Sequence, residues 1–302
     1  MTGRHVDPAG RRDLRDAYDH CRLITRTHAR NFYYAFLTLP AAKRRAIYAA
    51  YAFCRLCDDI ADSEMPATRR RELFADTRRR LRGLLDADEA PPHPIFDALA
   101  DTARRYRIPV GYFEEILEGV EMDMTQSRFG SFDELRTYCY KVASVVGLVC
   151  IEIFEYDDAR ARDYAIALGI GMQLTNIIRD VREDAEMGRI YIPADEMAAH
   201  GYSEEELVRG VANEPFLRLM RFQAERAREH LREGRRLLPL LSGRSRACPA
   251  VLHDIYAAVL DRIEGGGFRV FDGRIGLSTR EKLLIMGRTW TRSMLPLPAR
   301  AP

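Results

Sequence analysis

Asp58-Asp59-Ile60-Ala61-Asp62 and Asn176-Ile177-Ile178-Arg179-Asp180-Val181-Arg182-Glu183-Asp184 are two acidic clusters set in otherwise apolar, helically patterned sequence. A helix turns once in 3.6 residues, so Asp58 and Asp62 share one face, as do Asn176, Asp180 and Asp184. Like charges at this spacing destabilise an isolated helix by about 0.2–0.5 kcal/mol per pair, which calls for a cation. The second cluster continues Leu168-Gly169-Ile170-Gly171-Met172-Gln173-Leu174-Thr175, a mostly apolar run where a merely solvated face is hard to place. Carboxylates on such a helix need partners. Oxygen-only ligands suit a hard ion such as Mg2+, whose shell is completed by water and substrate phosphates. Neither cluster holds His or Cys at zinc spacing, and the chain has no Glu-x-x-His pair of the di-iron kind.

Outward from these clusters, apolar residues recur at i, i+3 and i+4 and strand patterning is nearly absent, which predicts an all-α fold. Helices are expected over about 11–27, 41–62, 68–86, 94–106, 109–127, 131–153, 159–186, 213–240, 247–264 and 279–293. Pro40 and Pro109 stand at helix starts, Ser131 offers an N-cap, and Gly265-Gly266-Gly267 stops a helix. The segments 41–62 and 159–186 are apolar on more than one face, so they belong at the centre, with their acids facing across a cavity. No Pro-, Gly- or Ser-rich linker divides the 302 residues. A single domain over 1–302, with its core over about 28–290, is therefore expected.

Lys and Arg (47) nearly balance Asp and Glu (45), and a net charge of +2 gives no electrostatic case for a nucleic-acid partner. The six cysteines lie scattered in helical sequence and read as buried thiols; Cys54-Arg55-Leu56-Cys57 lacks the second pair a metal site would need. No secretory h-region is visible, and the longest apolar stretch, 142–154, is too short to cross a bilayer, so a cytoplasmic location is expected. Tyr51 and Arg55 precede Asp58 on its helix, and Gln173 lies about one turn before Asn176, extending both acid faces into polar groups. Arg179, beside Asp180, suits either a phosphate fork or a plain ion pair. Gly147, Gly169 and Gly171 each cost about 1 kcal/mol within a helix, and make room either for a long apolar ligand or for a neighbouring helix.

The sequence resembles the squalene and phytoene synthase family of head-to-head prenyl transferases, from about His28 to Lys282. Four blocks carry the resemblance: His28-Ala29-Arg30-Asn31-Phe32-Tyr33-Tyr34-Ala35-Phe36; Tyr51-Ala52-Phe53-Cys54-Arg55 running into the first acid cluster; Tyr138-Cys139-Tyr140-Lys141-Val142-Ala143 with Val146-Gly147; and Gln173 to Asp184 followed by Gly188-Arg189-Ile190-Tyr191-Ile192-Pro193. The resemblance implies an isoprenoid-synthase-type helical bundle around a central cavity that holds two prenyl diphosphates over two or three Mg2+ ions. By position, Asp58, Asp62, Asn176, Asp180 and Asp184 would hold the metal. His28, Arg30, Asn31, Phe32, Tyr51, Arg55, Gln173 and Arg179 would contact substrate, and Tyr256 and Arg274 would close the site. Asn31 stands where many members carry Ser; either side chain can donate a hydrogen bond.

Ionisation of an allylic diphosphate needs its developing negative charge neutralised in a water-poor cavity. The resulting cation, attacked by the second substrate's double bond, would give a cyclopropylcarbinyl diphosphate. Aromatic faces such as Phe32, Phe36 and Tyr51 could stabilise the cation by about 0.5–2 kcal/mol each. Asn176-Ile177-Ile178-Arg179-Asp180 and Gly119-Val120-Glu121-Met122-Asp123 look more like bacterial presqualene diphosphate and squalene synthases of hopanoid pathways than like phytoene synthases. Two farnesyl diphosphates are thus the expected substrates, with phytoene synthesis from geranylgeranyl diphosphate as the alternative. Reduction by NADPH, oligomeric state and peripheral contact with the bilayer are left open. A terpene cyclase is a weaker reading, since cyclases ionise one diphosphate, and a non-catalytic relative would be expected to have lost acids that this chain keeps.

Overall fold

The structure is a computed structural model that describes residues 14–29, 32–85 and 92–294. Its helices are α1 (Leu14–His28), α2 (Phe32–Phe36), α3 (Ala41–Ala61), α4 (Ala67–Arg82), α5 (Pro94–Tyr106), α6 (Val110–Thr125), α7 (Phe132–Cys139) and α8 (Val145–Phe154). They continue with α9 (Ala161–Arg179), α10 (Val181–Glu186), α11 (Ala194–Ala199), α12 (Glu204–Val208), α13 (Glu214–Gly234), α14 (Ala247–Gly265) and α15 (Thr279–Met294). Among the described residues there is no strand, only isolated bridges of Arg128 with Ile190 and of Tyr156 with Leu241. The fold is all-α, as the patterning predicts. Ser131 caps α7 by accepting from the Glu134 amide, and α14 ends in the glycine run.

The long helices match their predicted spans, and the differences have local causes. Short α2, α11 and α12 escape a periodicity reading because a turn or so of helix never repeats its apolar face. The segment expected as one helix over 131–153 carries a π-helical turn, Tyr140–Ser144, between α7 and α8. The helix expected over 213–240 closes in a 3-10 turn, Arg235–Leu240, which contains Pro239, a residue without an amide to donate. The helix expected over 159–186 is interrupted at Asp180 (φ −101°, ψ 16°).

Sequence pattern also explains which helices are central. α9 packs against α13, the π turn, α8 and α14, and buries Leu168, Ile170, Leu174, Ile177 and Ile178. α3 packs against α1, α5, α6 and α8. Its Phe53 meets Phe96 and Phe113 edge-on, with centroids 6.2 and 5.5 Å apart. At the far end of α3 from the acids, Lys43 Nζ donates to Phe154 O (2.8 Å), Glu155 Oε2 (2.7 Å), Ser242 Oγ (3.2 Å) and Ser245 Oγ (3.0 Å).

The helical glycines serve packing. A Cβ on Gly169 would stand 2.6 Å from the Ser144 Cα, one on Gly171 2.8 Å from the Leu231 amide nitrogen, and one on Gly147 3.2 Å from the Ala165 carbonyl oxygen. They bring α9 against the π turn, α13 against α9 and α8 against α9, so room for a ligand is not their role. Gly169→Ala is expected to cost about 3 kcal/mol, the upper end of overpacking penalties, because the obstacle is backbone. A denaturation midpoint equal to that of the parent protein would contradict this.

α7, the π turn and α8 run continuously over Phe132–Phe154, 23 residues. By length and composition alone this helix is long and apolar enough to cross a membrane, a test that a buried core helix also passes. Half of its apolar window is buried inside the protein. All six cysteines are free thiols, with Cys21, Cys57, Cys139 and Cys248 buried.

Candidate active site

α3 contains neither Gly nor Pro, so its regular turns carry Tyr51, Arg55 and Asp58 up one side to Asp62, the C-cap residue. Asp58 is exposed by area, yet protein crowds its carboxylate. Burial, with repulsion from Asp62, Asp123 and Asp59, pushes it up to about 6 against the opposing charge of Arg55. Asp58 thus stands at the edge of the acid cluster, open to solvent on one side and crowded on the other. Cys54, one turn back, and Cys150 of α8 behave alike: each is half-buried, burial drives both thiols up, and Cys54 sits in the field of Cys150. These side chains mark where α3 packs on α8.

The second acid row stands at the α9–α10 junction. Asp184 is half-buried, and burial, with repulsion from Asp180, Glu183 and Asp123, pushes it up to about 7, while Arg189 acts against the rise. Asp180 accepts from Arg179 Nε at 2.8 Å and from Arg274 at 3.1 and 3.4 Å. Residues one apart do not face each other on a regular helix, and the interruption at Asp180 lets neighbouring Arg179 and Asp180 meet. Arg179 is thus paired with Asp180 at the edge of the acid row. Lys282 stands in the field of Arg179 and Arg274, so positive charge gathers on this side of the site.

The polar edge and an aromatic wall complete the arrangement. Asn176 Nδ2 donates to Gln173 Oε1 (3.2 Å), and Tyr256 hydrogen-bonds to Asn176. Phe32 packs on Tyr256 (6.5 Å between centroids) and on Phe36 (6.3 Å), which in turn meets Tyr51 edge-on at 6.3 Å. The structure thus brings Tyr256 and Arg274 of the C-terminal part to the second acid row. His28 ends α1 on the surface, and among the described residues no bond of its ring joins it to the acids. Arg30 and Asn31 lie outside the described residues.

Asp123 was not singled out as a site residue from the sequence, yet it is the common neighbour of the two rows. It stands in the fields of Asp58, Asp62 and Asp184. Tyr191 Oη donates to its Oδ1 at 2.9 Å, and Tyr138 supplies a second phenol bond. Tyr138 and Tyr191 stack at 5.2 Å, and the Ile190 amide donates to Ser127 O at 2.9 Å, fixing the 187–193 loop beside α6. A signal existed in the sequence: Asp123 falls in the last turn of α6, where the helix dipole disfavours an acid and no base is present.

The side chains suit a hard divalent cation. The donors are oxygens throughout, two of the acids are held well above their ordinary range by crowding, and Glu183 Oε2 is buried with no hydrogen-bond partner. Arg55 bonds Asp59 through its terminal nitrogen while its Nε is buried without a partner, a donor suited to an anion. Among the described residues no three or more His, Cys, Asp or Glu side chains converge as in a closed metal cage.

Comparison with known proteins gives this geometry a family. The model of the squalene/phytoene synthase family matches residues 25–281. The chain belongs to that family. Squalene/phytoene synthases are prenyltransferases that join prenyl diphosphates head to head, so this chain is an enzyme of that class. It is 39% identical over 294 residues to a phytoene synthase of Mycobacterium tuberculosis, covering 96% of each chain. It is 35% identical over 294 residues to a 15-cis-phytoene synthase of Synechocystis sp., covering 93% of this chain and 87% of the other. A dehydrosqualene synthase crystal structure superposes with a TM-score of 0.84 at 28% identity, covering 92% of this chain and 97% of that one. Squalene synthase HpnC from Alicyclobacillus acidocaldarius superposes at 0.80 and 27% identity, covering 84% and 95%. The bundle is thus the isoprenoid-synthase-like fold of these squalene/phytoene synthases.

Proposed function

We propose that the chain condenses two molecules of geranylgeranyl diphosphate head to head, releasing diphosphate, on the route to phytoene. The observation that carries the condensation is the pair of acid rows gathered around Asp123, with the rings of Phe32, Phe36, Tyr51 and Tyr256 packed in a row beside them. The C20 substrate is favoured by relatives at 35–39% identity over most of the chain that are named phytoene synthases, whereas the dehydrosqualene and squalene synthase structures stand at 27–28%. Farnesyl diphosphate, which the motifs at 119–123 and 176–180 suggested, is the second reading, and those two structures favour it.

Asp58, Asp62, Asn176, Asp180 and Asp184 would hold Mg2+, with Glu183 adjacent, and the ion when bound supplies charge to neutralise the departing diphosphate. Arg55, Arg179, Arg274 and Gln173 bind and orient the diphosphates. Departure leaves an allylic cation in the cavity, where Phe32, Phe36, Tyr51 and Tyr256 keep water out and offer their ring faces. The second substrate's double bond then supplies the electrons for the new bond. Asp123 is a positioning residue: held by two phenols, it sets the field in which Arg189 stands between the acid rows.

Incubation with farnesyl and with geranylgeranyl diphosphate separately, each with and without NADPH, should give a C40 hydrocarbon from the latter without reductant. Mass analysis reads the outcome. A C30 product alone selects the second reading, a cyclic product from one substrate overturns head-to-head condensation here, and NADPH-dependent saturation would add a reductive step.

A further inference from the structure

α15 packs against α14 and α2, the helices that carry Tyr256 and Phe32 beside the second acid row, so it forms the outer wall of the site. Its inner face is well tied. Thr289 is buried with its hydroxyl donating to Asp254 Oδ2 at 2.6 Å, and Ile285 and Met286 pack on the core. The outer face is a different surface. Leu283 (40% exposed) and Trp290 (46%) lie seven residues apart on one flank, and Leu284, at 74%, is the most exposed large apolar side chain described. Arg280, Leu284 and Arg288 follow one another at four-residue spacing, all exposed, with Arg292 beyond them.

The charge on α15 is one-sided. It carries Arg280, Lys282, Arg288 and Arg292 against a single acid, Glu281. That acid is already bound by Arg262, by the Ser278 amide at 2.7 Å and by the Ser278 hydroxyl at 2.8 Å, so it cannot offset the exposed arginines. Leucines and an indole interleaved with arginines are what an interfacial helix presents to lipid: apolar groups enter the acyl boundary, the indole sits at headgroup level, and guanidinium groups reach phosphate. A second copy of this chain docking on the same face would set the arginines against each other.

We propose that the outer face of α15 docks on a lipid bilayer surface that carries anionic headgroups, with Leu283, Leu284 and Trp290 inserted and Arg280 and Arg288 on the phosphates. The site wall thereby faces the lipid phase. This inference rests on the surface of α15 alone and does not depend on which prenyl diphosphate the enzyme uses.

Trp290 is the only tryptophan in the chain, so intrinsic fluorescence reports on α15 alone. With full-length protein, vesicles of phosphatidylcholine containing phosphatidylglycerol should shift its emission to the blue, protect it from iodide and carry the protein down on sedimentation. Pure phosphatidylcholine should do so far less. Arg280→Gln with Arg288→Gln should weaken partitioning about twentyfold, roughly fivefold per charge, and Leu284→Ser about tenfold. Helicity and turnover of detergent-dispersed substrate should stay unchanged in these variants. The proposal is overturned if the unsubstituted protein ignores anionic vesicles, if it sediments with them while Trp290 emission is unmoved, or if emission shifts with protein concentration alone, which would make the face a contact between copies.

Discussion

Asp184→Asn is expected to lose about a thousandfold in turnover while the metal-free protein becomes more stable. The two effects have one cause. Burial and three neighbouring acids hold the Asp184 carboxyl at about 7 in the folded chain against an ordinary 3.8. Between those values the folded protein keeps a proton that the unfolded chain has released. Stability therefore falls as pH rises from about 4 to 7, and the whole penalty is present above that range. Asparagine removes the charge and the penalty, a gain of about 1–3 kcal/mol at pH 8 once allowance is made for the solvent that reaches this half-buried group. Catalysis moves the other way, because a charged ligand that places a divalent cation near the leaving group contributes about 4 kcal/mol to the transition state. Chemical denaturation in EDTA at pH 5 and pH 8, beside turnover in excess Mg2+, checks both arms. A variant that keeps its activity, or that loses stability at pH 8, would remove Asp184 from the metal site.

Asp123→Asn should lower kcat/KM about a hundredfold, from the loss of charge-assisted hydrogen bonds worth about 2–3 kcal/mol. Asparagine can still accept from Tyr191, so the 187–193 loop stays in place, but Arg189 loses the field of Asp123 and is drawn to Asp184. The loss should therefore appear as a weaker apparent affinity for Mg2+, partly recovered at high concentration of the ion. Tyr191→Phe, which deletes one hydrogen bond and no charge, should cost about tenfold. Titrating Mg2+ against initial rate for both variants separates this from simple damage to packing, which extra cation would not repair. Wild-type kinetics for Asp123→Asn at every Mg2+ concentration would show that the residue has no part in the site.

What could be read from the sequence follows from what repeats. The long helices announce themselves through many turns of apolar spacing, and acids four apart on α3 and around Asp180 state their face without any coordinates. Single-turn features do not repeat, so α2, α11, α12 and the π turn were invisible to the same reasoning. The interruption at Asp180 was hidden too, because one residue leaving helical geometry does not disturb the register on either side of it. Asp123 went unassigned because its significance lies in Tyr138 and Tyr191, contacts made across the fold. For Gly147, Gly169 and Gly171 the sequence left two meanings, and only the distance of a would-be Cβ from the next helix chose between them.

Lys43 gives α3 an asymmetry. With its ammonium shared among two backbone or carboxylate oxygens and two hydroxyls, the start of α3 is pinned to the end of α8 and to the loop before α14, while Asp58 and Asp62 occupy the opposite tip about 25 Å away. The acid tip is held as well, by the buried Cys57, Ile60 and Ala61. Anchored at both ends, α3 presents its carboxylates in a fixed register, and loosening the lysine clamp would be felt as blurred aim at the tip.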